Sequence, residues 1–201
     1  MRFKKKTKHR LLQCAALLTA LLLGVLWLRG YIGTPLWLER HDEAMLLPLI
    51  DEAAAKHNLP SSLVRAVIWK ESRFNQFSKG SRGEIGLMQI TSGAVQDWSS
   101  RTRREKPGRT ELFIPEVNLE IGSWYLEQAS RHWKDYASGD VLALAEYNAG
   151  YGKVSSDWAP KNPAEIVELS KITYPGTREY IRLILKKKAE YDKAGKPGGT
   201  P

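Results

Sequence analysis

Ser61-Ser62-Leu63-Val64-Arg65-Ala66-Val67-Ile68-Trp69-Lys70-Glu71 is the stretch on which the reading of this chain turns. At about 100° per residue, Leu63, Val64, Val67 and Ile68 cover one face of a helix, and Glu71 falls near the middle of that face. Ser61 or Ser62 stands where a helix N-cap is expected. A carboxyl aimed into apolar surroundings resists ionisation, because burial disfavours the charged form. Kept protonated near neutral pH, it can serve as a general acid. The plainer alternative is a helix-end glutamate that curls back to solvent. The residues downstream of Glu71 argue for the acid.

Downstream run Glu71-Ser72-Arg73-Phe74-Asn75, a polar loop, Gly86-Leu87-Met88-Gln89-Ile90 and, much later, Ala145-Glu146-Tyr147-Asn148-Ala149-Gly150-Tyr151-Gly152. Gly86, lacking a Cβ, permits close backbone approach beside a ligand. Gln89 offers the carbonyl and amide needed to hold sugar hydroxyls or an acetamido group. Met88 supplies a soft apolar surface suited to a sugar face. Val141, Leu144, Ala145 and Asn148 stand at i, i+3, i+4 and i+7, so Asn148 is expected on the buried stripe. There its amide needs partners, since an unsatisfied one costs roughly 1–3 kcal/mol. Tyr147 points elsewhere on the same wheel. Either the two serve different surfaces or the helix stops at Gly150, the residue type usual just past a C-terminus.

These three segments, in this order, resemble the signature of the lytic transglycosylases of the soluble-lytic-transglycosylase (SLT) domain family, lysozyme-like proteins that cleave bacterial peptidoglycan. Pro115-Glu116-Val117-Asn118-Leu119, with Gly122 and Tyr125, resembles the family's intervening helix, and Thr177-Arg178-Glu179-Tyr180-Ile181 its C-terminal segment. The resemblance runs from about Asp42 to Leu185. It implies that Glu71 is the single acid/base. Glu71 would protonate the glycosidic oxygen, then take the proton of the muramyl C6 hydroxyl as that hydroxyl attacks C1 and leaves a 1,6-anhydro end. It also implies substrate positioning by Ser81, Met88, Gln89, Tyr147, Asn148 and Tyr180. Three positions depart from the family's pattern. Gly80 stands where a serine is common, with Ser81 beside it. Ser92 replaces a proline, so Thr91 or Ser92 is expected to cap the next helix. Gly176 replaces a glutamate.

Six of the 31 Lys and Arg residues fall in residues 1–10, leaving 25 against 22 acids in the rest, so the formal charge of +9 is mostly N-terminal and gives no reason to invoke nucleic acid. Leu11 to Leu28 is an uncharged run that would span roughly 27 Å as a helix, close to a bilayer core of about 30 Å. Trp27, Tyr31 and Trp37 sit near its outer end and the basic segment before it predicts a cytoplasmic start. No Ala-x-Ala site lies beyond it, so an uncleaved anchor is favoured over a signal peptide. The expected organisation is a cytoplasmic segment (1–10), a transmembrane anchor (11–32), a linker (33–41), a catalytic domain (42–192) and a disordered tail (193–201). That places the chain in a bacterial inner membrane, single-pass, with its catalytic domain outside the cytoplasm. Cys14, the only cysteine, lies in the anchor and decides no redox compartment.

The pattern reads as all-α, a lysozyme-like domain behind a single transmembrane helix. Helices are expected from Asp42 to Lys56, from Ser61 or Ser62 through Glu71, from Thr91 or Ser92 through Trp98, from Pro115, over Asp140 to Asn148, and from Pro175 to about Tyr191. Neither His9, His41, His57 and His132 nor Gly80, Gly83 and Gly86 form a metal or nucleotide motif, and no cofactor is expected. The cluster Arg101, Arg103, Arg104, Lys106 and Arg109 reads as a solvated loop, with contact to acidic stem peptides or a partner protein as the alternative. Expected partners are the glycan strands and the membrane, with an envelope or secretion-machine protein left open. Two rivals stand: a goose-type-lysozyme-like hydrolase, for which Glu84 or Glu146 would be the second acid, and a non-catalytic wall-binding module.

Overall fold

The computed structural model describes residues 13, 15–25 and 42–195. The chain divides into two compact units, Met1–Glu39 and Arg40–Pro201. In the first, residues 15–25 are helical and exposed. No helix among the described residues is long and apolar enough to cross a membrane. The expected anchor over 11–32 runs past both ends of this stretch into residues outside the described ones. The basic segment 1–10, the linker up to residue 41 and the tail beyond residue 195 also lie outside them.

Among the described residues, the long helices of the second unit are α1 (Glu43–Lys56), α2 (Ser61–Ser72), α3 (Ser92–Thr102), α4 (Pro115–His132), α5 (Gly139–Ala149) and α6 (Pro175–Ala194), joined by several short helical turns. Among the described residues there is no strand, only isolated antiparallel bridges Lys79–Ile85 and Ile85–Ile90. Local chemistry explains four of these helix starts. The Asp42 side chain accepts the Met45 N–H at 2.9 Å and the Thr91 hydroxyl accepts the Ala94 N–H at 3.1 Å, each a cap of about 1 kcal/mol. Pro115 and Pro175 open α4 and α6, where a missing N–H costs nothing. The start of α2 corrects an expectation. Pro60 is its N-cap, without a side-chain bond, and Ser61 instead donates back to Asp51 of α1. At the other end of the chain, α6 runs through Ala194, so Lys193 and Ala194 belong to it rather than to a tail.

The apolar stripes meet in one core. Leu46 and Ile50 of α1, Val64, Val67 and Ile68 of α2, Ile121 and Leu126 of α4, Leu142 and Leu144 of α5, and Ile181 and Ile184 of α6 are all essentially inaccessible. Each such side chain contributes about 1.5–3 kcal/mol of burial. α2 packs chiefly on α6, and α4 on α5 and α1. This sets the C-terminal turn of α2 against residues of α6 more than a hundred positions away.

Candidate active site

Glu71 lies in the last turn of α2, which ends sharply because Arg73 and Phe74 both take left-handed backbone, with φ of 55° and 59°. The Arg73 guanidinium stacks 3.6 Å over the Trp69 ring and covers that turn. Glu71 is half-buried, and its Oε1 accepts a 2.7 Å hydrogen bond from the hydroxyl of Tyr180, which is 3% exposed. Burial raises the Glu71 pKa, against the opposing pull of the Tyr180 hydrogen bond and the Lys70 charge; the nearby negative charge of Glu84 adds to the rise. Burial also drives the phenols of Tyr180 and Tyr147 well above their usual range. Both stay neutral. The site therefore sets a carboxyl of raised pKa against one neutral donor, Tyr180, an arrangement that favours the protonated form over that of a carboxyl in water.

The loop from Gln76 to Ile90 forms the adjoining wall. Ile85 and Ile90 exchange backbone hydrogen bonds, 3.1 Å from Ile85 N–H and 2.9 Å from Ile90 N–H. One residue of α4 holds this loop in place. Asn118, 1% exposed, accepts the Met88 N–H at 2.8 Å and donates to the carbonyls of Ile85 (2.9 Å) and Leu112 (2.7 Å). Gly86 is required here twice over. Its φ is +81°, and a Cβ on it would stand 2.1 Å from Asn118 Nδ2. The clamp role of Asn118 was missed from sequence, where it showed only as one letter of a motif; a polar residue inside the apolar face of α4 was the available signal.

The expected site residues divide. Gln89, itself at φ 51°, donates from Nε2 to the Gly86 carbonyl at 2.9 Å, and its Oε1 meets no protein donor among the described residues. The Tyr147 hydroxyl donates to the Met88 carbonyl at 3.0 Å, so it fastens α5 to the loop, and its phenol feels the Glu71 charge. Met88 does not present an apolar surface to a ligand. It is 0% exposed, with its thioether seated on Gly122, where an added Cβ would be 2.4 Å from the sulfur. Asn148 is not on the buried stripe either. It is exposed, because α5 ends one residue later and Gly150 caps it, and its Oδ1 accepts from the buried Thr177 hydroxyl at 2.7 Å. Its Nδ2 has no protein partner among the described residues. Ser81 is exposed in a turn and makes no side-chain hydrogen bond among them, while Tyr180 is the donor to the acid itself. The structure thus gathers Tyr180, Tyr147 and Glu84 around the carboxyl of Glu71.

Two further acids differ in kind. Glu146 accepts from Trp133 Nε1 at 2.7 Å and pairs with His132 at 2.8 Å. Glu84 lies on the loop that carries Gln89 and pairs with Arg82 at 2.9 Å. Among the described residues no group of three or more His, Cys, Asp or Glu side chains is arranged to hold a metal ion. A cavity of about 510 Å³ lies away from Glu71. Leu49, Ala53, Lys56, Trp98, Arg104 and Val117 are among its walls, and none of the residues around Glu71 is. Arg101, expected in the basic loop, lies in the last turn of α3 instead, and the loop from Arg103 to Arg109 borders the cavity and is largely exposed.

A family model described as "Transglycosylase SLT domain" matches residues 48–167. Among curated proteins, the chain is 36% identical over 110 residues to the membrane-bound lytic murein transglycosylase F of Desulfosudis oleivorans, covering 53% of this chain and 22% of that protein. It is 29% identical over 114 residues to the membrane-bound lytic murein transglycosylase C of Serratia proteamaculans, covering 54% and 32%. Among solved structures, the lytic transglycosylase Slt of Pseudomonas aeruginosa, in an inactive glutamate-to-glutamine mutant, superposes with a TM-score of 0.65 at 26% identity, over 73% of this chain and 24% of that one. The chain spans about a quarter to a third of the length of these proteins.

Proposed function

The chain belongs to the transglycosylase SLT domain family, and from that premise we propose that it is a membrane-anchored peptidoglycan lytic transglycosylase acting on the MurNAc–GlcNAc β-1,4 bond. The observation that carries this reading is the Glu71–Tyr180 pair: one half-buried carboxyl, raised in pKa, held at 2.7 Å by a neutral donor. Glu71 gives its proton to the glycosidic oxygen as the bond to C1 breaks. The carboxylate so formed takes the proton of the muramyl C6 hydroxyl, which closes on C1 and leaves a 1,6-anhydro end. Intramolecular attack has a high effective molarity, so neither an activated water nor a second carboxylate is required. Tyr180 orients the carboxyl and supports its ionised form. Gln89 Oε1 and Asn148 Nδ2, an acceptor and a donor with no protein partner among the described residues, are the groups best placed to position the sugar.

Residues 11–32 act as a single-pass anchor in the bacterial inner membrane, with the catalytic domain outside the cytoplasm. The uncharged run and the basic segment before it support this, as do relatives named membrane-bound. The wall glycan is the partner, and an envelope or secretion machine is a second one if the enzyme opens the wall locally. Hydrolysis is a second reading, favoured by one observation: Glu84 is an acid near Glu71 and is held ionised. Incubating the full chain with purified sacculi and weighing the released muropeptides separates the two. Products one water lighter than reducing-end muropeptides, lost with Glu71→Gln, establish the transglycosylase; reducing ends establish the hydrolase. Wall binding without release by the unmodified chain would make it a non-catalytic module.

A further inference from the structure

Gly80 has no side chain, and the space beside it is filled from elsewhere in the loop. A Cβ on Gly80 would lie 2.4 Å from Glu84 Oε2 and 2.8 Å from Gln89 Oε1. Two acceptor oxygens therefore converge on one spot. Their identity is forced. The Gly86 carbonyl can only accept, so it takes Gln89 Nε2 at 2.9 Å and leaves Oε1 as the atom beside Gly80. The Glu84 carboxylate is tied down by the Arg82 backbone N–H (2.9 Å to Oε2) and the Arg82 Nε (2.9 Å to Oε1), and its side chain is only 12% exposed. No protein donor among the described residues bridges the two oxygens. Acceptors that share one space gain from a donor placed between them, and a charged acceptor strengthens the bond that results.

We propose that Glu84 and Gln89 form a paired acceptor that receives an N–H or O–H donor of the glycan strand beside Glu71, making Glu84 a specificity-determining residue of the cleft. The inference rests on the glycan-cleaving function proposed above. It assigns Glu84 a binding role that needs no proton transfer. Its own backbone N–H, foremost, and the Arg82 groups hold its carboxyl below the usual range, in keeping with an acceptor that stays ionised. Gly80 becomes part of the device. Any side chain there would displace the carboxylate, while its backbone torsion is one that serine adopts freely.

The test measures binding apart from turnover. In the full chain carrying Glu71→Gln, titration with a peptidoglycan tetrasaccharide is expected to show Kd raised about tenfold by Glu84→Ala, the scale of one charged hydrogen bond. Glu84→Gln, which keeps one acceptor oxygen, restores part of the loss. Gly80→Ser alone weakens binding comparably, and the double variant Gly80→Ser with Glu84→Ala is no weaker than either, because both act on one space. In the otherwise unmodified enzyme, Glu84→Ala raises KM more than it lowers kcat. Unchanged Kd for both Glu84→Ala and Glu84→Gln, with thermal unfolding intact, overturns the proposal. So does a double variant whose losses multiply. A loss confined to kcat, with reducing ends released by the unmodified enzyme and lost in Glu84→Ala, overturns the proposal by making Glu84 a base instead. Absence of cleavage by the unmodified enzyme refutes the proposed function and leaves the Kd comparison to judge the acceptor pair on its own.

Discussion

Glu71 and Glu120 are the same residue type, both mostly withdrawn from water, yet the protein drives them in opposite directions. At Glu71 burial outweighs the hydrogen bond of one neutral hydroxyl and the Lys70 charge, to which Glu71 makes no hydrogen bond, so its proton is held more tightly than in water. Glu120, on α4, is also penalised by burial, but hydrogen bonds from Lys56 (2.7 Å) and His57 (3.2 Å) outweigh that and lower its pKa, with Arg104 2.6 Å away on its other oxygen. Burial alone does not make an acid. What decides is whether the partners are neutral or cationic. Volume does not decide either, because the 510 Å³ cavity borders Glu120 rather than Glu71. α4 serves both regions: Asn118 reaches the loop beside Glu71, and two residues on, Glu120 closes the network with α1.

The comparison breaks most visibly in activity. Glu71→Gln should lower the cleavage rate by about 10²–10⁴-fold, the usual weight of a general acid, read from muropeptide release. The same variant should not lose stability. The native pKa of Glu71 lies above its unfolded value, so its contribution to stability is lost as pH rises from the unfolded value through the native one. Gln removes that loss. Thermal unfolding at pH 7 should therefore occur at or above the temperature of the unmodified protein, and the difference should vanish below about pH 4; a marked drop at pH 7 would mean that Glu71 is an ordinary paired carboxylate.

Next in size is Asn118→Ala, which strips partners from three buried backbone groups and should cost about 3 kcal/mol in denaturant unfolding, along with the loop that carries Gln89. Glu120→Gln should cost about 1–2 kcal/mol at neutral pH, with the opposite pH signature to Glu71→Gln. Its stabilisation is present above the unfolded pKa and lost as pH falls through the depressed native one, so variant and parent should converge in acid. Two Glu→Gln variants whose unfolding temperatures moved the same way at pH 7 would refute the contrast. The smallest effect is expected for Tyr180→Phe. Without the hydroxyl, Glu71 should titrate higher, shifting the alkaline limb of kcat/KM upward, with a rate loss of no more than about tenfold.

The helices were legible in sequence because their cause is local. Apolar residues at 3.6-residue spacing, Asp42 and Thr91 as caps, and Pro115 and Pro175 at first turns all act within a few positions. Glu71 was legible for the same reason, since its place on the stripe of α2 foretold its half-burial. Asn148 was misread by the same periodicity. It occupies the last turn of α5, where the wheel still predicts a buried face but the side chain stays exposed, touched by the Thr177 hydroxyl. Met88 was misread because residue type says nothing about which surface a thioether finds; Gly122, thirty-four positions away, supplied the seat. Motif resemblance brought Tyr180 onto the site, but not its partner.

By itself, the sequence determined an all-helical domain with one acid on an apolar helix face, the order of the motifs around it, and an uncharged N-terminal run behind a basic segment. These come from short-range periodicity, capping and composition, which act along the chain. Only the tertiary structure decided that Tyr180 donates to Glu71 across 109 positions, that Asn118 holds the loop, and that Glu84 fills the space left at Gly80. Those facts depend on which helix faces pack together and on distances of two to three ångströms. Hydrogen bonds and charges of that reach are set by the assembled core, not by spacing along the chain.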